Sequence, residues 1–165
     1  AACMLICELA AKLKQRGESL YDYLQQLYAT FGYHQESLLT VFMEGSAGMR
    51  RRQNLMNQLR DHPPAELGGL AVIAVRDYLT NQKINAEGES SVLDGPTDNL
   101  LFFEFEGEGN HVAVRPSGTE PKIKFYTFTR VAVEDATDLA AEGDRMNARI
   151  EAIEADLQRL VDGVE

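Results

Sequence analysis

The chain has 165 residues, with 16 Lys and Arg against 26 Asp and Glu, so its formal net charge is −10 at pH 7. This length is enough for one domain with a modest core. The acidic balance argues against nucleic acid or an anionic membrane as a partner, because both require a basic face. Cys3 and Cys7 lie four residues apart on a predicted helix, and we recognise neither a signal peptide nor a spanning apolar run. We therefore expect a cytoplasmic protein without a structural disulfide.

Two helices are predicted at the start of the chain. The first ends near Gln15, with Gly17 as its stop signal. Ser19 is placed to cap the second helix, Asp22 completes a weak capping box three residues later, and Gly32 ends the helix. The chain begins inside the apolar part of the first helix, without an N-cap or an initiator Met. We therefore expect it to be a fragment of a longer protein.

A strand and a third helix follow. Residues 38–43 are predicted to form a strand, and Ser46 is placed to cap a helix over 47–61 that Pro63 and Pro64 stop. This helix carries the chain's one basic cluster, formed by Arg50, Arg51 and Arg52. We interpret the cluster as a solvated helical face, with contact to a phosphate or an acidic surface as the alternative.

The remaining elements are four strands and a C-terminal helix. The strands are predicted around 70–79, 100–106, 111–115 and 123–129, and the polar stretch 81–99 is predicted to be a mobile loop. Residues 130–137 lead into the last helix. That helix carries an apolar stripe formed by Met146, Ile150, Ile153, Leu157, Leu160 and Val164. The stripe favours packing on the chain's own sheet, with a coiled-coil seam as the alternative. Together these patterns predict an α+β fold, in which a mostly antiparallel sheet of about four strands carries the helix over 47–61 and the C-terminal helix on one face.

A loop of Pro, Ser, Gly, Thr, Glu and Pro joins two of the strands and predicts a β-hairpin with a phosphate site. Gly118 is able to adopt a positive φ, so that successive backbone N–H groups converge on one point. Ser117 and Thr119 add hydroxyl donors, and Arg115 offers the planar fork that binds phosphate bidentately. Lys124 adds a point charge from the second strand. The alternative is an ordinary hairpin loop with incidental polar residues.

Two further residues near the loop invite a catalytic interpretation. Ser117 has no neighbouring His or Lys in a recognisable nucleophile pattern, so we interpret it as a phosphate ligand. His111 begins the first strand of the hairpin, and a structural role is favoured over that of a general base.

The run from Arg115 to Tyr126, Arg-Pro-Ser-Gly-Thr-Glu-Pro-Lys-Ile-Lys-Phe-Tyr, resembles a known phosphate-binding signature. It is similar to the signature in the C-terminal domain of the phosphohexomutases, the phosphoglucomutase/phosphomannomutase superfamily. The similarity extends over 98–106 and the block 48–69, in effect over residues 1 to about 130, and is closest to the phosphoglucomutase branch. The resemblance implies that residues 1–36 are the helical end of the third mutase domain and that 37–165 are the C-terminal domain, with an architecture like that of the TATA-binding protein.

The resemblance also implies a function for the parent enzyme. Phosphohexomutases use a phosphoserine and Mg²⁺ to interconvert the 1- and 6-phosphates of a hexose through a bisphosphate, here glucose 1,6-bisphosphate. Their C-terminal domain clamps the phosphate that is not reacting. The implied phosphate ligands in this chain are Arg115, Ser117, Gly118, Thr119 and Lys124. The implied partners are a phosphorylated sugar and the three upstream domains of the same polypeptide, with no nucleic acid and no membrane.

The serine loop, the Asp-rich Mg²⁺ loop and the sugar-selecting loop of the family are not recognisable in this sequence. We therefore expect no catalytic residue, no metal ligand and no mutase activity in this chain alone. The alternatives are a stand-alone phosphosugar-binding module and a protein-interaction domain. Glucose phosphates are favoured as substrates over mannose, glucosamine or pentose phosphates only because the matching blocks are most like those of phosphoglucomutases.

Overall fold

The computed structural model describes residues 1–133 and 139–164. Part of the predicted connection over 130–137 thus lies outside the described residues. In chain order the elements are α1 (Ala2–Gln15), α2 (Leu20–Phe31), β1 (Tyr33–Phe42), α3 (Gly45–Asp61), β2 (Glu66–Leu67), β3 (Leu70–Asp77), β4 (Gln82–Asn85), β5 (Ser90–Val92), β6 (Leu101–Phe105), β7 (His111–Pro116), β8 (Lys122–Val131) and α4 (Leu139–Asp162).

The strands form an antiparallel sheet in the order β1-β8-β7-β6-β3-β4-β5, and β2 pairs only with β3. β1 pairs with β8 along its whole length, from Tyr33 opposite Val131 to Phe42 opposite Lys122. The predicted α+β class is confirmed, and all four predicted strands are present as β3, β6, β7 and β8.

The predicted number of about four strands was too low. The stretch 81–99 contains β4 and β5 in place of the predicted mobile loop, and the strand predicted at 38–43 begins earlier, at Tyr33. β5 consists only of exposed residues and pairs with β4 at the edge of the sheet. An edge strand is held by backbone hydrogen bonds and needs no buried face, so its sequence lacks the apolar alternation that identifies a central strand.

Helices α3 and α4 share one apolar core with a single face of the sheet. The core includes Phe103 and Phe125 from the central strands, both fully buried, together with Leu55 of α3 and Leu157 of α4. The prediction that both helices lie on one face is confirmed. The apolar stripe of α4 packs inward as predicted, except that Val161 is fully buried in the place expected for Leu160.

Helices α1 and α2 stand apart from this core. The predicted capping box of α2 is present: the Asp22 amide donates to Ser19 Oγ at 3.1 Å, and the Ser19 amide donates to an Asp22 carboxylate oxygen at 2.8 Å. Gly32 ends α2 with a φ of +94°. No residue of α1 or α2 belongs to the core cluster found in the described residues. Met4 and Phe31 are largely exposed, so this helix pair presents an apolar surface to its surroundings.

The start of α3 differs from the prediction. Ser46 was expected to cap the helix, but the helix begins at Gly45, and its N-cap residue Glu44 makes no capping hydrogen bond through its side chain. Ser46 therefore lies inside the first turn. In the part of the chain that the structure describes, no helix is long and apolar enough to cross a membrane.

Candidate phosphate-binding site

The candidate site lies at the tip of the β7–β8 hairpin. Arg115 pairs with Lys124 and Pro116 pairs with Ile123 across the two strands, and the loop extends beyond them. The Ser117 amide donates to the carbonyl oxygen of Lys122 at 2.9 Å. The loop is also tied to the beginning of α3, because the amide of Met43 donates to the carbonyl oxygen of Pro121 at 2.7 Å. The loop is therefore an ordered structure with fixed ends.

Two loop amides are left for a ligand. Within the described residues, the backbone N–H groups of Gly118 and Thr119 have no hydrogen-bond partner, whereas that of Ser117 is occupied by Lys122. Gly118 does not adopt the positive φ expected from the sequence, and a Cβ added there would meet no atom within 4 Å. The glycine therefore leaves open space beside the loop for a close approach, and the turn does not require its conformational freedom.

The two predicted cations of the site, Arg115 and Lys124, lie on the same open face of the sheet. Arg115 is exposed and lies 3.3 Å from Asp98, measured from Nη2 to Oδ2. Lys124 shares the open face of the sheet with Arg115, and its Nζ lies over the ring of Tyr126, 5.9 Å from the centroid. Arg115 therefore adjoins the loop directly, while Lys124 contributes its charge from the sheet.

A cavity of about 310 Å³ lies against the loop. Its lining residues are Arg52, Gln53, Met56, Asp98, Asn99, Arg115, Pro116, Ser117 and Gly118. The structure thus brings together three of the five predicted ligands, Arg115, Ser117 and Gly118. Thr119 and Lys124 lie outside the lining. Arg52, for which contact with a phosphate was only the alternative interpretation, lines the cavity together with Asp98, which was not predicted as a site residue.

The interpretation of the basic cluster on α3 as a solvated face was wrong for two of its three residues. Arg51 donates to the carbonyl oxygens of Val161 and Val164 at the end of α4, at 2.7 Å each. Arg52 Nη1 donates to the carbonyl oxygen of Glu120 at 2.8 Å and to that of Ser117 at 3.4 Å. Only Arg50 is a solvated side chain. Consecutive helical residues project about 100° apart, so a run of three arginines cannot share one face.

Carboxylates moderate the positive charge around the loop. A hydrogen bond from Lys122 and the positive charge of Lys122, with a smaller effect from Lys124, lower the pKa of Glu120. Lys122 Nζ and Glu120 Oε2 are 2.7 Å apart. Glu120 therefore remains ionised at neutral pH, and its negative charge offsets the positive charge of Lys122. Arg115 and Arg52 are the cations nearest the cavity, because both line it.

His111 lies at the opposite end of β7 from the loop. Its ring stacks on Phe128, with 4.6 Å between centroids, and lies 5.3 Å from the ring of Phe102. Arg115 is four residues along the strand, roughly 13 Å away at the usual rise of a β-strand. Burial, and then the charge of Arg76, lower the pKa of His111, while Glu104 opposes the shift. We assign His111 no part in the phosphate site.

The lowered pKa of His111 predicts a pH dependence of stability. As the pH falls, His111 is protonated near pH 6.5 in the unfolded chain and only at lower pH in the folded chain. The contribution of His111 to stability is therefore full above about pH 6.5 and is lost as the pH falls below that value. We expect His111→Phe, which keeps an aromatic ring, to lose less unfolding free energy between about pH 7.5 and about pH 5.5 than the parent chain. Urea denaturation at both pH values measures this, with the exposed His62→Gln as control. Equal losses in the parent and His111→Phe would contradict the assignment.

A larger groove, of about 750 Å³, lies between the end of α3 and the β3–β4 hairpin. Its lining includes Arg60 and Asp77, which are paired with each other, and no residue of the 116–121 loop. Among the described residues there is no group of three or more His, Cys, Asp or Glu side chains arranged to hold a metal ion.

Comparisons with known proteins find that the chain is similar in sequence to phosphoglucomutases. No protein-family model matches it. The chain is 41% identical over 147 residues to a phosphoglucomutase of Staphylococcus aureus strain MRSA252, an alignment that covers 88% of this chain and 25% of that relative. It is 39% identical over 123 residues to the phosphoglucomutase of strain MSSA476, covering 74% of this chain and 22% of that relative.

A solved structure is also similar to the chain, namely the exocytosis-sensitive phosphoprotein pp63/parafusin, a phosphoglucomutase from Paramecium, in its open form. The identity is 16% and the TM-score 0.41, over 82% of this chain and 23% of that one. The sequence relatives confirm the resemblance to phosphohexomutases. Within that class the named relatives are phosphoglucomutases, and this chain spans about a quarter of their length.

Proposed function

We propose that the chain is the C-terminal, phosphate-clamping domain of a phosphohexomutase of the phosphoglucomutase type. One observation carries the proposal: Arg115 stands beside an ordered loop in which the amides of Gly118 and Thr119 have no partner among the described residues. A guanidinium and unpaired backbone N–H groups are the types of donor that bind a phosphate group. The sequence similarity to phosphoglucomutases supports the assignment of that phosphate to a sugar.

In this proposal the loop holds the phosphate of a hexose phosphate that is not being transferred. Arg115 binds two of its oxygens, the amides of Gly118 and Thr119 donate to it, and the hydroxyls of Ser117 and Thr119 complete the contacts. Lys124 adds attraction from the sheet. Binding at this remote group orients the sugar, so that binding energy is used to position the reacting end.

The parent enzyme of the proposal interconverts the 1- and 6-phosphates of a hexose through glucose 1,6-bisphosphate. The upstream domains supply the phosphoserine and the Mg²⁺ ligands, residues 1–36 belong to the preceding domain, and residues 37–165 form the clamp. Exposed apolar side chains of α1 and α2, such as Met4 and Phe31, support this division, because they present a surface for a neighbouring domain. A cytoplasmic location remains a prediction, and the chain alone is expected to be inactive.

We expect a titration of the labelled chain with glucose 1,6-bisphosphate at low salt to shift the amide resonances of Gly118 and Thr119. The amide of Ser117 should move less, because it already donates to Lys122. Without the other domains the affinity should be weak, on the order of millimolar. Arg115→Ala should weaken binding about tenfold or more, since a charged hydrogen-bonding group is lost.

The exposed Arg50→Ala is the matched control, because it removes the same charge from a residue that does not line the cavity. Loop amides that stay unchanged at millimolar ligand, or that shift equally in Arg115→Ala, would overturn the proposed clamp. Micromolar binding by this chain alone would instead favour the stand-alone phosphosugar-binding module, because a clamp that depends on other domains should not bind tightly without them.

A further inference from the structure

The guanidinium of Arg52 lies beneath the loop and reaches it from α3. Its Nη1 donates to the carbonyl oxygens of Glu120 and Ser117, two groups on opposite sides of the loop's tip. The same Glu120 carbonyl accepts a hydrogen bond from the amide of Lys122 at 2.8 Å. With these carbonyls held toward α3, the amides of Gly118 and Thr119 remain available to a ligand. Arg52 therefore helps to set the conformation in which the loop presents its donors.

Arg52 does not use all of its donors in this contact. Its Nε and Nη2 have no partner among the described residues. The neighbouring Arg51 makes a useful comparison, because it uses both Nε and Nη2 to bind carbonyl oxygens at the end of α4. Arg51 has only a structural role, and its Nε and Nη2 are both occupied. Arg52, in contrast, lines the cavity and has donors that are not occupied.

The charges around the cavity favour an anion beside Arg52. Arg115 is paired with Asp98, at 3.3 Å. In the described part of the chain, Arg52 has no carboxylate within ion-pair distance. The cavity thus contains two guanidinium groups and one carboxylate from Asp98, and the cation without an ionic partner is Arg52.

We propose that Arg52 is a second guanidinium ligand of the phosphate, in addition to the loop and Arg115. Its Nη1 holds the loop, and its remaining donors bind a phosphate oxygen on the side facing α3. The inference rests on the proposed phosphate-clamping function, and it adds to that function a ligand from a different element, 63 residues before Arg115 in the sequence. Arginine suits both tasks, since its planar fork has donors on more than one edge.

The test compares Arg52→Gln and Arg52→Lys with the parent chain, Arg115→Ala and the control Arg50→Gln, using glucose 1,6-bisphosphate as the probe. Spectra without ligand report the loop's conformation, and the titrations report the dissociation constant. We expect Arg52→Gln to weaken binding about tenfold, as for the loss of one charged hydrogen-bonding partner. Arg52→Lys should restore part of that loss, because it keeps the positive charge. Arg50→Gln should change neither measurement.

The outcomes separate this inference from the function on which it rests. If Arg115→Ala weakens binding and Arg52→Gln does not, Arg52 is no ligand and the clamp still stands. If the Gln and Lys variants weaken binding equally and disturb the free loop equally, Arg52 only positions the loop, and the direct contact is refuted. If the parent chain does not bind the probe, the clamp and the inference both fall. Thermal unfolding of each variant verifies that the fold is retained.

Discussion

Replacement of Gly68 by alanine is expected to destabilise the chain by about 2–5 kcal/mol, against about 1–2 kcal/mol for the same change at Gly69. Both glycines have a positive φ, of +58° and +77°, so each substitution incurs the cost of the left-handed conformation. They differ in their surroundings. A Cβ on Gly68 would lie 2.6 Å from Ile153 Cγ1 and 2.8 Å from the backbone nitrogen of Ile153, whereas a Cβ on Gly69 would meet no atom within 4 Å.

The backbone contact explains why the clash at Gly68 is costly. A side chain is able to change rotamer, but the Ile153 nitrogen belongs to the middle of α4, so the helix itself would have to move from the sheet. The amide of Gly68 also donates to Asp156 Oδ2 at 2.7 Å, which fixes the approach of the β2–β3 turn to this helix. Urea unfolding of the two single variants measures the difference. Equal losses would show that α4 does not pack as closely on this turn as the structure has it.

Local patterns in the sequence predicted those elements in which the interacting residues are close together along the chain. The capping box of Ser19 and Asp22 involves residues three apart, and the α4 stripe repeats every three or four residues. The hairpin that carries the candidate site was predicted from its turn residues and the strand-like runs beside them. In each case the interacting groups lie within one element or one turn, so their spacing is enough to predict the structure.

Contacts between distant segments were not predicted, because no short-range pattern encodes them. Arg52 meets Glu120 across 68 residues, and Arg51 meets Val164 across 113. In the sequence both arginines look like members of one solvated cluster, and only the packing of α3 on the hairpin and on α4 separates their roles. Gly118 shows a further limit, since a glycine permits a positive φ without requiring it.

The ion pair between Arg60 and Asp77 links the fold to the candidate site. Arg60 Nε lies 2.9 Å from Asp77 Oδ2, and the two side chains are only 16% and 11% exposed. Arg60 Nη2 also donates to Asn99 Oδ1 at 2.9 Å, and Asn99 lines the phosphate cavity. Asp77 in turn accepts a hydrogen bond from the Leu79 amide at 3.0 Å. The pair therefore joins the end of α3 to β3 and to the segment beside the loop.

Arg60→Ala is expected to destabilise the chain by about 3 kcal/mol, because it leaves the carboxylate of Asp77 largely buried without its cation. Urea denaturation measures the loss, with Arg50→Ala as the control, an exposed arginine on the same helix whose removal should change stability by less than about 0.5 kcal/mol. The double variant Arg60→Ala with Asp77→Asn should recover part of the loss, since the uncompensated charge is then gone. A double variant whose loss of unfolding free energy exceeds the sum of the losses of the two single variants would show that the ion pair is not the dominant contact. Arg60→Ala should also shift the side-chain amide resonances of Asn99, because Asn99 Oδ1 loses the hydrogen bond from Arg60 Nη2. Since Asn99 lines the phosphate cavity, this shift would connect the stability of the α3–β3 contact to the shape of that cavity.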